Sequence, residues 1–185
     1  MTEHTHDHDD HSACAVAHSP VAPLSSPAER TLVAVFASPV SGYMLRYGAD
    51  MGFRGLLLEP DEARAAGAAT LGFPILTAMP EDLDDTADVV VTDHHRAELG
   101  PVLRDVLAGT PRWIGVMGNA RHAGPHVPAL AELGVPDAEI ARVHRPTGLN
   151  IGSRTPPEIA LSALAGLLAN RNDRPGGFEF PTPTP

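Results

Sequence analysis

The residues best suited to chemistry lie in short stretches where an apolar run gives way to a polar turn. Thr92-Asp93-His94-His95 directly follows Ala87-Asp88-Val89-Val90-Val91. A histidine pair there suits a metal, an anion or a cofactor, although two imidazoles fall short of a tetrahedral metal centre. A solvated polar loop explains the pair equally well. Trp113-Ile114-Gly115-Val116-Met117-Gly118-Asn119-Ala120-Arg121 runs into a turn of small residues. Gly115 and Gly118 would let a phosphate or a pterin-like group approach, and Arg121 would supply a two-pronged donor. The stretch 146–158 sets Gly148, Asn150, Gly152 and Arg154 just ahead of a helix start, where free amides and the helix dipole favour an anion. The plainer account of both stretches is a tight turn, a surface arginine and a capped helix.

A further cluster lies at the start of the chain. His4, His6, His8, His11, Cys14 and His18 are interleaved with Asp7, Asp9 and Asp10. Imidazoles with one thiolate would hold a divalent metal loosely. The alternative is a polar tract that takes up metal only in a test tube.

Phe36-Ala37-Ser38-Pro39-Val40-Ser41 is notable for what it lacks. A strand and a helix flank it, as they flank the Gly-x-Gly-x-x-Gly turn of dinucleotide-binding folds, where glycines let the backbone approach pyrophosphate. Two of those glycine positions carry Phe36 and Ser38, and Pro39 removes a donor. Glu59 lies about 20 residues on, where an acid would meet ribose hydroxyls. The stretch therefore reads as a strand–helix turn that kept the fold, with NAD(P) binding not expected.

These residues must be positioned by alternating strands and helices. Short apolar runs at 32–36, 56–58, 74–76, 87–92 and 112–118 read as buried strands. Helical spacing appears over 40–52, 99–107 and 126–134, the last ending at Gly134 with Pro136 beyond. Thr155, Pro156 and Glu158 form a capping-box start for a final helix, in which Ala160, Leu164, Leu167 and Leu168 share a face. Such alternation predicts an α/β fold: a Rossmann-like open, mostly parallel sheet with helices on both faces. Residues 30–172 would form this domain. The His/Asp-rich then Pro/Ser-rich segment 1–29 and the Pro/Gly-rich segment 173–185 bury too little apolar surface to order themselves and read as disordered tails.

Composition removes several classes of function. The chain has 185 residues and a formal charge of −10, half of it in the first 29 residues. All 13 basic residues are arginine, so there is no lysine for a Schiff base or a P-loop. An acidic chain without a basic cluster argues against nucleic acid as the main partner. One cysteine excludes an intrachain disulfide framework and all-cysteine zinc sites. No apolar run approaches the ~20 residues of a membrane span. The polar, acidic start does not read as a secretory signal, so the expected compartment is the cytoplasm.

The motifs together resemble one family. WIGVMGNARHAGPHVPALAELGV and VHRPTGLNIGSRTPPEIALSALAGLL resemble the signature YIG-x-x-GS-R-R, then H-x-P-IGL-D-IG-x-x-TP-x-EIA, of the xanthine dehydrogenase accessory proteins (the XdhC/CoxI family). TDHHRAELGPVLRDVL resembles that family's THDH-x-x-D segment, and FASPVSGYMLRYGADMGFRGLLLEPDE lies where it has GAGHVA, GFRV and VDPR. The likeness runs from about residue 31 to 172 and is most specific in the second half. It covers the family's C-terminal domain; a separate N-terminal domain with cysteine motifs is usual in the family, and here Cys14 stands alone.

The resemblance implies an accessory factor, a carrier rather than a catalyst. It would bind molybdenum cofactor, shelter it while its terminal sulfur is installed, and pass it to a xanthine dehydrogenase-type molybdenum hydroxylase. A cysteine desulfurase would be a second partner, and a homodimer is compatible with this reading. The implied pocket joins His95, Gly118, Asn119, Arg121 and the loop 148–152, with Arg121 on the phosphate and His95 donating near the pterin or metal. Two other classes stay open: an NAD(P)-dependent oxidoreductase, and a metal-handling or scaffolding protein acting through the His-rich tail.

Overall fold

The computed structural model describes residues 30–80, 83–118 and 122–177. The expected tails, including the His4–Cys14 metal candidates, lie mostly or wholly outside them. Six strands form one sheet in the order β3-β2-β1-β4-β5-β6. They are β1 (Thr31–Val35), β2 (Arg54–Leu58), β3 (Ile75–Leu76), β4 (Ala87–Val91), β5 (Trp113–Val116) and β6 (Val143–His144). All five pairings are parallel. The expected Rossmann-like architecture is therefore observed, and the strand order reverses between β1 and β4.

The strand sequences account for the layers. β1, β4 and β5 are buried along their whole length, so successive side chains feed opposite faces of the sheet. Val33, Val35, Val89, Val91, Ile114 and Val116 pack on one face, against Leu99, Leu103 and Val106 of α3 (Leu99–Ala108), Leu130 of α4 (His126–Glu132) and Ile140 of α5 (Asp137–Ile140). Leu32, Val90 and Trp113 face the other way, against Met44 of α1 (Pro39–Asp50) and Ala160, Ala163, Leu164 and Leu167 of α6 (Pro156–Arg171). A further helix, α2 (Glu62–Ala68), packs Ala68 near Leu45 and Leu57.

Three elements escape the sequence reading: α2, α5 and β6. α2 is alanine-rich without an apolar stripe, and starts because Asp61 caps the Arg64 amide at 2.9 Å. β6 is two residues long, too short for any period to show.

The amino edge of the sheet is held by charge. Asp88, fully buried in β4, accepts from Arg112 Nε at 2.7 Å and from Arg171 Nε at 2.6 Å. Arg171 also donates to the Thr86 carbonyl at 3.0 Å, and the Thr31 amide donates to the same oxygen at 3.2 Å. No helix among the described residues is long and apolar enough to cross a membrane.

Candidate functional site

In open parallel sheets, ligands bind beyond the carboxyl ends of the strands, at the point where strand order reverses. Here that crevice lies between β1 and β4, and side chains of the chain itself occupy it. Phe36 adopts φ +71°, the left-handed conformation that a glycine takes without cost, and its ring is fully buried. The Arg96 guanidinium lies over that ring, 4.6 Å from its centroid. Arg96 reaches Glu59 with both prongs, Nη1 to Oε2 at 3.0 Å and Nη2 to Oε1 at 2.9 Å. The same carboxylate accepts the amides of Ala37 at 2.8 Å and Asp61 at 3.0 Å.

Those four bonds use the full acceptor capacity of a carboxylate. The expectation that Glu59 meets a ribose is thereby corrected: its oxygens are saturated inside the chain, and its side chain is 0% exposed. Burial alone would push the Glu59 carboxyl up. The bonds from Arg96, Ala37 and Asp61 and the Arg96 charge outweigh it and hold the group below its ordinary value. Ser38 and Ser41 cap α1 reciprocally, with Pro39 in the first turn where its missing donor costs nothing. The Thr92 hydroxyl bonds the carbonyls of Val35 and Phe36 and lies 2.9 Å from Ser38 Oγ, closing the crevice.

The next crevice along, beyond β4, β5 and β6, is differently furnished. His94 and His95 lie in the turn after β4 with ring centroids 4.1 Å apart, and Asp93 accepts the His95 amide at 3.0 Å. Gly118 ends β5. A Cβ built there would stand 2.7 Å from Arg145 Nη2, so the glycine lets the guanidinium lie against the main chain. Arg145 follows β6, donates Nη1 to the His122 carbonyl at 2.8 Å, and precedes a cis peptide to Pro146. His126, first residue of α4, is 5% exposed, and its Nδ1 has no hydrogen-bond partner among the described residues. An unmet buried donor or acceptor costs about 1–3 kcal/mol. Burial keeps the His126 imidazole below its ordinary pKa, and the Arg145 charge adds to this. Burial, His95 and Arg145 lower His94, against the opposing pull of Asp93 and a main-chain bond with Met117.

The sequence-derived residues separate on this frame. His95 and Gly118 stand at this second crevice, His95 exposed at its rim. Asn119 and Arg121 lie outside the described residues. Gly115 is a packing glycine rather than a ligand-facing one: a Cβ would stand 2.4 Å from Thr147 Cγ2 and 2.5 Å from the Trp113 ring. Gly148 likewise lies against α6, its added Cβ 2.4 Å from Ser162 Oγ. Asn150 and Gly152 are exposed, and Gly152 takes φ +71° in an open turn. The anion expected ahead of α6 is supplied by the chain: Glu158 accepts the amides of Arg154 at 2.8 Å and Thr155 at 3.1 Å. Arg96, Arg145 and His126 were not singled out from sequence. Arg145 is reached through β6, which left no periodic signal, and the burial of His126 depends on α4 packing on α3.

Among the described residues no group of three or more His, Cys, Asp or Glu is placed to hold a metal ion. The Arg145 guanidinium, admitted to the main chain by Gly118, and the unmet His126 nitrogen fit an anionic group such as a phosphate.

Comparison with known proteins gives a consistent picture. The XdhC Rossmann domain family matches residues 32–167. An uncharacterized protein of Escherichia coli, YqeB, is 35% identical over 95 residues, which are 51% of this chain and 17% of YqeB. A crystal structure from Bacillus halodurans, described as a xanthine dehydrogenase, superposes with a TM-score of 0.61 at 21% identity. That match covers 79% of this chain and 44% of the other, and shows a shared fold. The chain thus spans under half the length of either relative.

Proposed function

This chain belongs to the XdhC Rossmann-domain family, and from that membership we propose that it is an accessory protein of xanthine dehydrogenase-type molybdenum hydroxylases, holding molybdenum cofactor for delivery. The observation that carries the reading is the contrast between the two crevices. The dinucleotide position is filled by Phe36, Arg96 and Glu59, whereas the neighbouring strand ends present Gly118, Arg145 and an unmet buried histidine nitrogen. The first disfavours an NAD(P) oxidoreductase. The second suits an anionic, hydrogen-bonding ligand.

In this reading Arg145, seated against Gly118, and Arg121 hold the phosphate, and His95 meets the pterin edge. When bound, the cofactor supplies molybdenum already ligated by its own sulfurs. The protein's part is to bind, orient and exclude water. Residues 30–172 form the binding domain, with the segments 1–29 and 173–185 as tails. The expected partners are the apo-hydroxylase and a cysteine desulfurase, in the cytoplasm, with the protein acting as a homodimer.

The test is activation of apo-hydroxylase by the purified protein loaded with extracted cofactor. Arg121→Ala is expected to weaken both cofactor retention and activation. Absence of cofactor binding, together with unchanged activation by the variant, would sink the proposal. Metal handling by the histidines of 1–29 is a second reading, supported by the spacing of His4, His6, His8, His11 and Cys14.

A further inference from the structure

The cluster beyond β5 contains more than packing requires. The His126 ring folds back on Gly124: a Cβ built there would stand 2.5 Å from His126 Cε1, 2.8 Å from its Nδ1 and 3.5 Å from Arg145 Cδ. The imidazole and the arginine stem thus share one wall, made by a glycine. The guanidinium continues across Gly118, the second glycine. His94 stands close enough on the β4 side to feel the charges of Arg145 and Asp93. The titratable and charged groups on the neighbouring segments are Asp93, His94 and His95 in the turn after β4, His122 and His126 around the start of α4, and Arg145 after β6. These segments carry one carboxylate against a guanidinium and several imidazoles, and one buried ring nitrogen there, His126 Nδ1, is unmet.

We propose that Arg145 and His126, each seated against the main chain of a glycine, Gly118 and Gly124, form a binding site for the dianionic phosphate of a phosphomonoester. The guanidinium supplies the planar donor fork that matches phosphate. His126 supplies the nitrogen that the fold leaves unmet. Two sources of the same chemistry exist, free phosphate and the phosphate end of a pterin cofactor. The second rests on the function proposed above; the anion site itself does not.

The electrostatics give the site a signature. Burial and the Arg145 charge hold His126 below its ordinary value, and burial with neighbouring positive charge does the same for His94. A dianion beside them favours the charged imidazoles, so binding draws both titrations upward and takes up protons. Affinity therefore increases as the pH falls from alkaline values, until the phosphate itself protonates near pH ~6.

The experiment is an NMR pH titration of the histidine Cε1 resonances of the full chain, assigned with His94→Gln and His126→Gln. It is run without phosphate, with inorganic phosphate and with a pterin phosphomonoester. Both midpoints are expected to move upward with either anion, and Arg145→Gln to weaken binding by about tenfold or more, the loss of a charge-assisted hydrogen bond. Without anion, the His126 midpoint of Arg145→Gln moves upward because a positive neighbour is gone, and buried Trp113 fluorescence reports that the variant is folded. His126→Gln should weaken phosphate binding independently. Midpoints unmoved by both anions in the folded wild type overturn the proposal. If phosphate moves them and the pterin ester binds no more tightly, the anion site stands and the cofactor reading fails.

Discussion

Replacing Arg96 with methionine isolates the device that fills the dinucleotide crevice. Methionine keeps an apolar stem over Phe36 but removes both prongs from Glu59. The arginine side chain is 7% exposed and the glutamate 0%, so solvent cannot replace what is lost. Breaking such a pair by removing one partner costs roughly 3–5 kcal/mol. The amides of Ala37 and Asp61 still bond the carboxylate, which puts the expectation at the lower end, about 3 kcal/mol. For a chain of this size that is a fall of ~6–12 °C in Tm. Urea unfolding followed by Trp113, the chain's one tryptophan and 5% exposed, measures it directly.

The pH dependence is the sharper part of the prediction. In the wild type Glu59 is held below its ordinary value, so its contribution to stability is present above the unfolded pKa and is lost as the pH falls through the folded one. Without Arg96, burial dominates and lifts the Glu59 carboxyl. The variant's penalty is then complete at neutral pH and shrinks as the pH falls toward the unfolded value near ~4.3. A cost below about 1 kcal/mol, the scale of an exposed ion pair, would refute the reasoning. So would a cost that is the same at about pH 7 and pH 5.

Three other outcomes are expected. Gly166→Ala sets a Cβ 2.3 Å from the Thr147 carbonyl, which is rigid main chain, so urea denaturation should show a loss of about 1–3 kcal/mol. His94, His126 and His144 are all held below their ordinary values, each first by burial. The unfolded chain binds more protons there, so stability should decline as the pH falls from about 6.5 toward the folded values. Replacing His126 by Gln should flatten that slope; an unaltered slope would count against its neutral burial. A chain beginning at Arg30 should keep the full-length urea midpoint and lose nickel binding by calorimetry, and retained binding would remove the metal role given to His4, His6, His8, His11 and Cys14.

The sheet was legible in the sequence wherever a strand was buried on both faces. Ala87 to Val91 and Trp113 to Val116 are continuous apolar runs, and nothing but a covered parallel sheet accommodates them easily. The capping box at Thr155 and Glu158 was legible because its spacing is local. The Phe36 turn was readable as a departure from a glycine pattern, but not what replaced it. Arg96 lies 37 residues from Glu59, and nothing in their separation announces that one clamps the other. The same holds for Arg145, which meets Gly118 only because β6 lies beside β5.

The carbonyl of Thr86 receives both the first amide of β1 and the guanidinium that closes α6. The domain's entrance and exit are thus moored at one point on the amino edge of the sheet. The crevices lie at the opposite edge. A single anchor on the amino edge thus ties the first strand to the last helix, so loosening it should free both together.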